Sequence, residues 1–328
     1  MNGQQWIHGV RVGALAVIFS AISAPAFAAS GYPERPIRLV VPVAPGGSSD
    51  GAARVVGQKL TESLKQQIVV DNRPGAAAII GTNLVAKANP DGYTLVLVSL
   101  RHSVNPSLLK TVPFHPVNDF ETITMTAAVG NVLVVSVKSP IDSLAALIRS
   151  AKEKPGHLTF GSSGIGGAPH LTGEFFSLKT GVKLTHIAYK GGGPAVADVV
   201  GGNTTMSFAS MTSALPHIRS NRLRPLAVSS KQRSQLLPEV PTMGEAGAPD
   251  VYVRDWQGIL APRGTPAGIV NKLSDEIRVA LRAPDAAKRM SAMGLEVIAS
   301  SPAEFRADIL SDMKRWSEVV KAAGIKVE

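Results

Sequence analysis

The chain has 328 residues, no cysteine, 45 % hydrophobic and 5 % aromatic residues, and a formal net charge of +10. The absence of thiols rules out disulfide staples, a thiol nucleophile and a lipidated cysteine, so a large core must hold the fold; length and composition predict a globular protein of two domains. The charge raises nucleic acid as a partner, but Arg219, Arg222, Arg224, Lys231 and Arg233 are scattered, with no basic helix or interleaved aromatics, which argues against it.

At the N-terminus Arg11 precedes an apolar run from Val12 to Ile22 and the small-residue stretch Ala24-Pro25-Ala26-Phe27-Ala28-Ala29. That order predicts a signal peptide over residues 1–28 and a periplasmic location, with Ala26 and Ala28 at the −3 and −1 positions. The cut is expected before Ala29, with Ala29/Ser30 as the alternative. An uncleaved anchor is the competing reading, and it is short of the roughly 20 apolar residues a membrane helix needs. The longest later apolar stretch, Met125 to Val137, is interrupted by Thr126, Gly130, Asn131 and Ser136. Removal of residues 1–28, which hold Arg11 and no acid, leaves a charge of +9. A field that draws in anions and a solvated basic surface are both compatible with it.

In the mature chain, Ile37 to Val43 predicts a buried strand, broken by Ala44-Pro45-Gly46-Gly47-Ser48-Ser49. Asp50 is placed as the N-cap of a helix carrying Ala52, Val55, Val56, Leu60 and Leu64 at helical spacing. Ile68 to Val70 predicts a strand, Asn72 to Gly75 a turn, Ile79 to Lys87 a helix and Thr94 to Ser99 a third strand, an order that implies a parallel sheet. A second unit begins near Asn131, with a strand over 132–135, a helix over 143–152 and a short strand over 158–160. Gly161 to Ala168 then forms a loop before a helix from Pro169 through Phe176. Thr185 to Ile187 runs into Tyr189-Lys190-Gly191-Gly192-Gly193-Pro194 and another helix. Strands at 206–208 and 226–228 flank a helix near 213–219, and Pro238 to Pro249 is turn-rich. Trp256 to Ala261 predicts a crossover strand, followed by helices over 266–281 and 302–323, the last with Phe305, Ile309, Met313 and Trp316 on one face. With no low-complexity linker, the chain is expected to cross between domains more than once.

Ligands of open α/β sheets bind beyond the carboxyl ends of the strands, where helix starts offer unpaired N–H groups and glycine lets the backbone approach closely. Three glycine loops, at 44–49, 161–168 and 190–193, occupy such places and predict an anion cleft. None matches a phosphate-binding G-x-x-x-x-G-K-[ST] loop or a dinucleotide G-x-G-x-x-G loop, and Gly161-Ser162-Ser163-Gly164-Ile165 does not fit a hydrolase elbow. Ser163 with His170 stays open as a hydroxyl–imidazole pair that an enzyme could use. The histidines include no i,i+4 pair and no H-E-x-x-H, so neither a metal nor a cofactor is expected. His102 and His170 either line the cleft or sit structurally at helix starts.

Ordered motifs run along nearly the whole mature chain: Tyr32-Pro33, Arg35-Pro36-Ile37, the Pro42-to-Asp50 loop with P-G-G-x-x-D, Asn72-Arg73-Pro74-Gly75, Pro90-Asp91-Gly92-Tyr93 and His102-Ser103-Val104-Asn105-Pro106. They continue through Lys154-Pro155-Gly156, Gly164 to His170, Tyr189-Lys190-Gly191, Ala214 to Ile218, Leu236 to Thr242 and Ala261 to Pro266. In these the chain resembles the Bug-type, TctC-like substrate-binding receptors of tripartite tricarboxylate transporters. The resemblance implies an α/β, two-domain periplasmic-binding-protein type II fold, a Venus flytrap that holds its ligand between the domains and passes it to membrane permease subunits. Domain I would comprise 29–130 plus 254–328 and domain II 131–253, in a monomer. A carboxylate would be held by Ala44, Pro45, Gly46, Gly47, Ser48 and Ser49, with Asp50 beside them, and by Ser162, Ser163, Gly164, Gly166 and Gly167, with His170. Ser99, His102, Tyr189, Lys190, Gly191, Ala209 and Ser210 are further candidates. Val43 and Ala44 stand where the family often has an aromatic and a second proline, and Ala209 where it often has Asp or Asn, which makes an amino-acid ligand less expected. A dicarboxylate, an aromatic carboxylate and an uncharged small molecule stay open. A receptor feeding a sensor and a secreted hydrolase using Ser163 and His170 are the alternatives.

Overall fold

A computed structural model describes residues 1–2 and 31–325; the apolar run of the predicted signal peptide and its cleavage site lie outside them. The first lobe opens with β1 (Ile37–Val41), α1 (Ser48–Leu64), β2 (Ile68–Asn72), α2 (Ile79–Ala86), β3 (Thr94–Ser99) and α3 (Arg101–Leu108). After β4 (Phe120–Ser136) the second lobe holds α4 (Leu144–Glu153), β5 (Thr159–Ser162), α5 (Ala168–Thr180), β6 (Thr185–Ala188), α6 (Gly192–Gly201), β7 (Met206–Ser210), α7 (Met211–Arg219) and β8 (Leu223–Val228). The chain returns through β9 (Arg254–Pro262) to α8 (Ala267–Arg282), α9 (Pro284–Ala292), β10 (Glu296–Val297) and α10 (Pro302–Ala323). No helix among the described residues is long and apolar enough to cross a membrane.

One strand ties the lobes together. From Phe120 to Gly130, β4 pairs antiparallel with β9, and from Asn131 to Ser136 it pairs with β7 and β8. Sequence pattern assigns this strand only Val132 to Val135, because Gly130-Asn131 resembles a break. Gly130 instead continues the strand: a methyl there would stand 3.2 Å from Ser230 Cβ, so glycine lets another segment come close. β4 is buried on both faces, and its buried polar residues Thr124, Thr126 and Asn131 are each hydrogen-bonded, to Ser300 O, Gln257 O and Thr172 Oγ1.

β2, β1 and β3 pair in parallel, as the strand–helix order implies, and β5 lies parallel to both β6 and β7. Alternation along the first-lobe strands feeds two cores: Val40, Val96 and Val98 join one, Leu39, Val41, Leu95 and Leu97 the other. α10 covers the first core with Phe305, Ile309 and Trp316, the expected face, with Met313 partly buried beside them. It starts at a capping box in which Ser301 and Glu304 satisfy each other's backbone N–H groups. Trp316 also meets Phe175 of α5 edge-on at 6.1 Å, so the C-terminal helix touches both lobes.

Candidate ligand-binding site

The first glycine loop leaves the carboxyl end of β1. Gly46 has φ +91, a conformation that favours glycine, whereas Gly47 is extended (φ −92, ψ 179) and is the N-cap of α1. The predicted cap, Asp50, lies inside the first turn. Its carboxylate folds back on the loop: Oδ2 accepts from Gly46 N–H and Arg54 Nε, both at 3.0 Å, and Oδ1 accepts from Asn72 Nδ2 at 3.1 Å. Burial raises its pKa, but these hydrogen bonds outweigh burial and hold it below the ordinary carboxylate value. Asp50 therefore shapes the loop, while the backbone amides of the α1 start have no intrahelical acceptors. Ser48 and Ser49 are buried; Ala44, Pro45 and Gly46 are exposed at the rim.

Pro42, Val43, Ser49, Ala78, Thr82, Ser99, Arg101, His102 and Asn105 enclose a small cavity of about 10 Å³. One wall has no counterpart in the sequence pattern. Ala76, Ala77 and Ala78 all have positive φ, at 43, 53 and 73°. This left-handed backbone costs an L-residue roughly 1–2 kcal/mol. It is held by Asn105 Nδ2 donating to Ala77 O at 2.9 Å and Thr82 Oγ1 donating to Ala78 O at 2.8 Å. Strain of this kind persists only where surrounding bonds over-determine it, as these two do. Alanine carries no sequence signal for positive φ, so by sequence the turn ends at Gly75.

His102 is turned into the first-lobe core. Its ring stacks on Phe114 at 5.7 Å and meets Phe120 edge-on at 5.4 Å, and Nε2 donates to Pro116 O at 2.8 Å. Burial is the main force pushing its pKa down, to about 4, so the ring is neutral at physiological pH. The same residue also lines the small cavity, where its buried Nδ1 has no hydrogen-bond partner among the described residues.

In the second lobe, Gly164 (φ 113) and Gly166 (φ 73) shape the loop after β5. Ser162 Oγ lies 2.7 Å from His186 Nε2 and accepts from Gly164 N–H at 3.1 Å. His170 Nδ1 accepts from Gly166 N–H at 3.1 Å, and Nε2 lies 3.5 Å from Glu174 Oε1. Both ring nitrogens of His170 thus face partners other than Ser163. Ser162 and His170 brace the loop from behind; the half-buried Ser163 sits at its mouth.

The third loop is set differently. Tyr189 hydroxyl bonds Asp198 and Thr204 Oγ1, which anchors its tip on its own lobe. Lys190 is exposed, and Gly191 (φ 131) caps α6. Ala209 is buried in the core opposite Val132, while Ser210 caps α7 by accepting from Ser213 N–H at 3.4 Å.

The two larger loops meet at a residue that no sequence motif singles out. Arg101, the first residue of α3, extends its guanidinium to the second glycine loop; a methyl at Gly167 would stand 2.6 Å from Nη2, and one at Gly164 3.8 Å. Beneath it lies the buried Asp255 of β9, whose pKa burial raises to about 7 against the opposing pull of Arg101 and Leu100 N–H. A raised carboxyl pKa means that the folded state binds the proton more tightly. Its contribution to stability is therefore complete below the unfolded value near 3.8 and is lost as pH rises toward 7. Asp255→Asn should lose less stability than wild type across that window, the two curves diverging by at most about 1.4 kcal/mol for each step of one in pH. Urea titrations at several pH values check this, and parallel curves for the two proteins would refute it.

A larger open groove of about 600 Å³ runs past Gly130, Arg254, Lys231, Leu236 and Gly294, and none of the predicted residues lines it. The glycine loops of the two lobes instead converge at Arg101.

An α/β protein of two lobes, with glycine loops of both facing one another at strand ends, has the architecture of solved periplasmic binding proteins, BugD among them, to which it is 34 % identical with a TM-score of 0.84 over 90 % of this chain and 100 % of that one. The family model for the tripartite tricarboxylate transporter family receptor matches residues 52–325, and the chain belongs to that family. It is 40 % identical over 311 residues to the protein BugT of Bordetella pertussis, covering 94 % of this chain and 95 % of that one. An R. palustris protein solved with adipate is 33 % identical with a TM-score of 0.86, over 90 % of this chain and 99 % of that one. MatC from Rhodopseudomonas palustris, with bound malate, is 28 % identical with a TM-score of 0.82, over 88 % of this chain and 100 % of that one. The chain is thus a solute-binding receptor of the tripartite tricarboxylate transporter type.

Proposed function

We propose that this receptor captures a small dicarboxylate between its lobes in the periplasm and delivers it, as a monomer, to the permease subunits of a tripartite tricarboxylate transporter. The observation that carries this reading is the approach of Gly164–Gly167 to the start of α3, beside the loop that opens α1. Backbone N–H groups at helix starts suit a carboxylate. The relatives solved with adipate and malate point to the same ligand class. A binding role in place of catalysis is supported by His170, whose nitrogens are engaged away from Ser163. Calorimetry with malate and adipate, and mass spectrometry of what co-purifies, test the reading. An uncharged co-purifying ligand and no response to either acid would overturn it.

Export follows in this proposal from cleavage between Ala28 and Ala29, to be read by N-terminal sequencing of periplasmic protein. The division into 29–130 plus 254–328 and 131–253 is favoured by the change of pairing partners: Gly130 pairs with Arg254, and Asn131 with Ser210. Rotation would be taken up there, because Trp256 is pinned by α10 through Asp312. Small-angle scattering should record a smaller radius of gyration at saturating ligand. Identical curves with and without ligand would refute closure.

A further inference from the structure

We propose that Arg101 is the specificity-determining cation of this receptor, taking one carboxylate of a dicarboxylate in its guanidinium fork while the other rests on the amides that open α1. The inference rests on the receptor reading above and assigns it a residue.

Two observations carry it. Arg101 stands where the lobes meet: it follows β3, lines the same cavity as Ser49 and Ser99, and lies against the backbone of Gly164 and Gly167 in the other lobe. The space a side chain at Gly167 would need is filled by Nη2, so the loop is shaped around this guanidinium. Next, the group is half-buried and, among the described residues, no acceptor takes a hydrogen bond from it; Asp255 is the one acid whose field it feels. A guanidinium carries five N–H donors in a planar fork that matches a carboxylate bidentately, and no group among the described residues competes for them here.

The probes are adipate, malate and monomethyl adipate, titrated by calorimetry into wild type, Arg101→Gln and Arg101→Lys. Wild type should bind the two diacids and lose about 100-fold in affinity for the half-ester, the scale of a charge-assisted bidentate contact. Arg101→Gln should weaken both diacids by about 100-fold and leave the half-ester nearly unaffected, so that discrimination disappears. Arg101→Lys, a point charge without the fork, should fall between them. If Arg101→Gln does not fold, the half-ester on wild type and the Lys variant still decide. Diacid affinity unchanged in Arg101→Gln, or a half-ester bound as tightly as adipate by wild type, overturns the assignment and leaves the receptor reading intact. Failure of wild type to bind either diacid overturns both.

Discussion

Gly47→Asp should abolish carboxylate binding while leaving the thermal melting transition close to that of wild type. The backbone at Gly47 is extended, and a Cβ there meets nothing within 4 Å, so the substitution introduces neither strain nor a clash. Gly47 is the N-cap of α1, a position where Asp is among the preferred residues, so the helix gains a few tenths of a kcal/mol if it changes at all. The ligand experiences the reverse. A carboxylate at the cap takes the same N–H groups and stands about 4 Å from the bound anion, where like charges near a protein surface repel by roughly 4 kcal/mol. That is close to a thousandfold in affinity before the lost hydrogen bonds are counted. Gly47→Asn, of nearly equal size and equal capping ability but neutral, should retain much of the binding and thereby separate charge from bulk. Gly46→Ala should do the opposite, lowering stability by roughly 1 kcal/mol at φ +91. Calorimetry and melts on the three variants decide the matter. Tight binding retained by Gly47→Asp would place the anion elsewhere, and a collapsed melting transition would make Gly47 structural.

The split between what the sequence disclosed and what it hid follows from where each signal resides. Parallel strand–helix units were legible because short apolar runs alternate with capped amphipathic segments, and the three glycine loops stood out by composition. Side-chain direction was not legible. Asp50, Ser162, His170 and Tyr189 all lie in or next to candidate loops in sequence, yet each hydrogen-bonds a partner within its own lobe. Ala76 to Ala78 adopt backbone that glycine would have announced and alanine does not. Arg101 was lost among 34 basic residues, since nothing local distinguishes a cation facing the other lobe from one facing solvent. What marks it is a contact between residues 101 and 167, supplied only by the tertiary fold.

The largest stability effect should come from Trp256→Ala. This indole is 1 % exposed, meets Phe305 edge-on at 5.3 Å, and donates from Nε1 to Asp312 Oδ2 at 2.6 Å. Removing a buried ring of this size costs about 3–5 kcal/mol through lost burial and the cavity left behind. It also strips Asp312 of a donor; burial raises the pKa of that carboxyl, and the Trp256 hydrogen bond is the main opposing influence. A half-buried acceptor left without its partner adds up to about 1–3 kcal/mol, less where water replaces the indole. The sum is comparable to the whole stability of many single domains, roughly 5–15 kcal/mol, so the variant should be marginally folded and α10 should fray from both lobes. Trp256→Phe keeps most of the packing and drops the hydrogen bond, so it should lose only the smaller contribution and still bind ligand. Urea unfolding of the pair, with hydrogen exchange along Pro302–Ala323, measures both steps. A loss below about 1 kcal/mol in Trp256→Ala would show that β9 is not anchored by α10, and backbone rotation on closure could then extend past Arg254 into the strand itself.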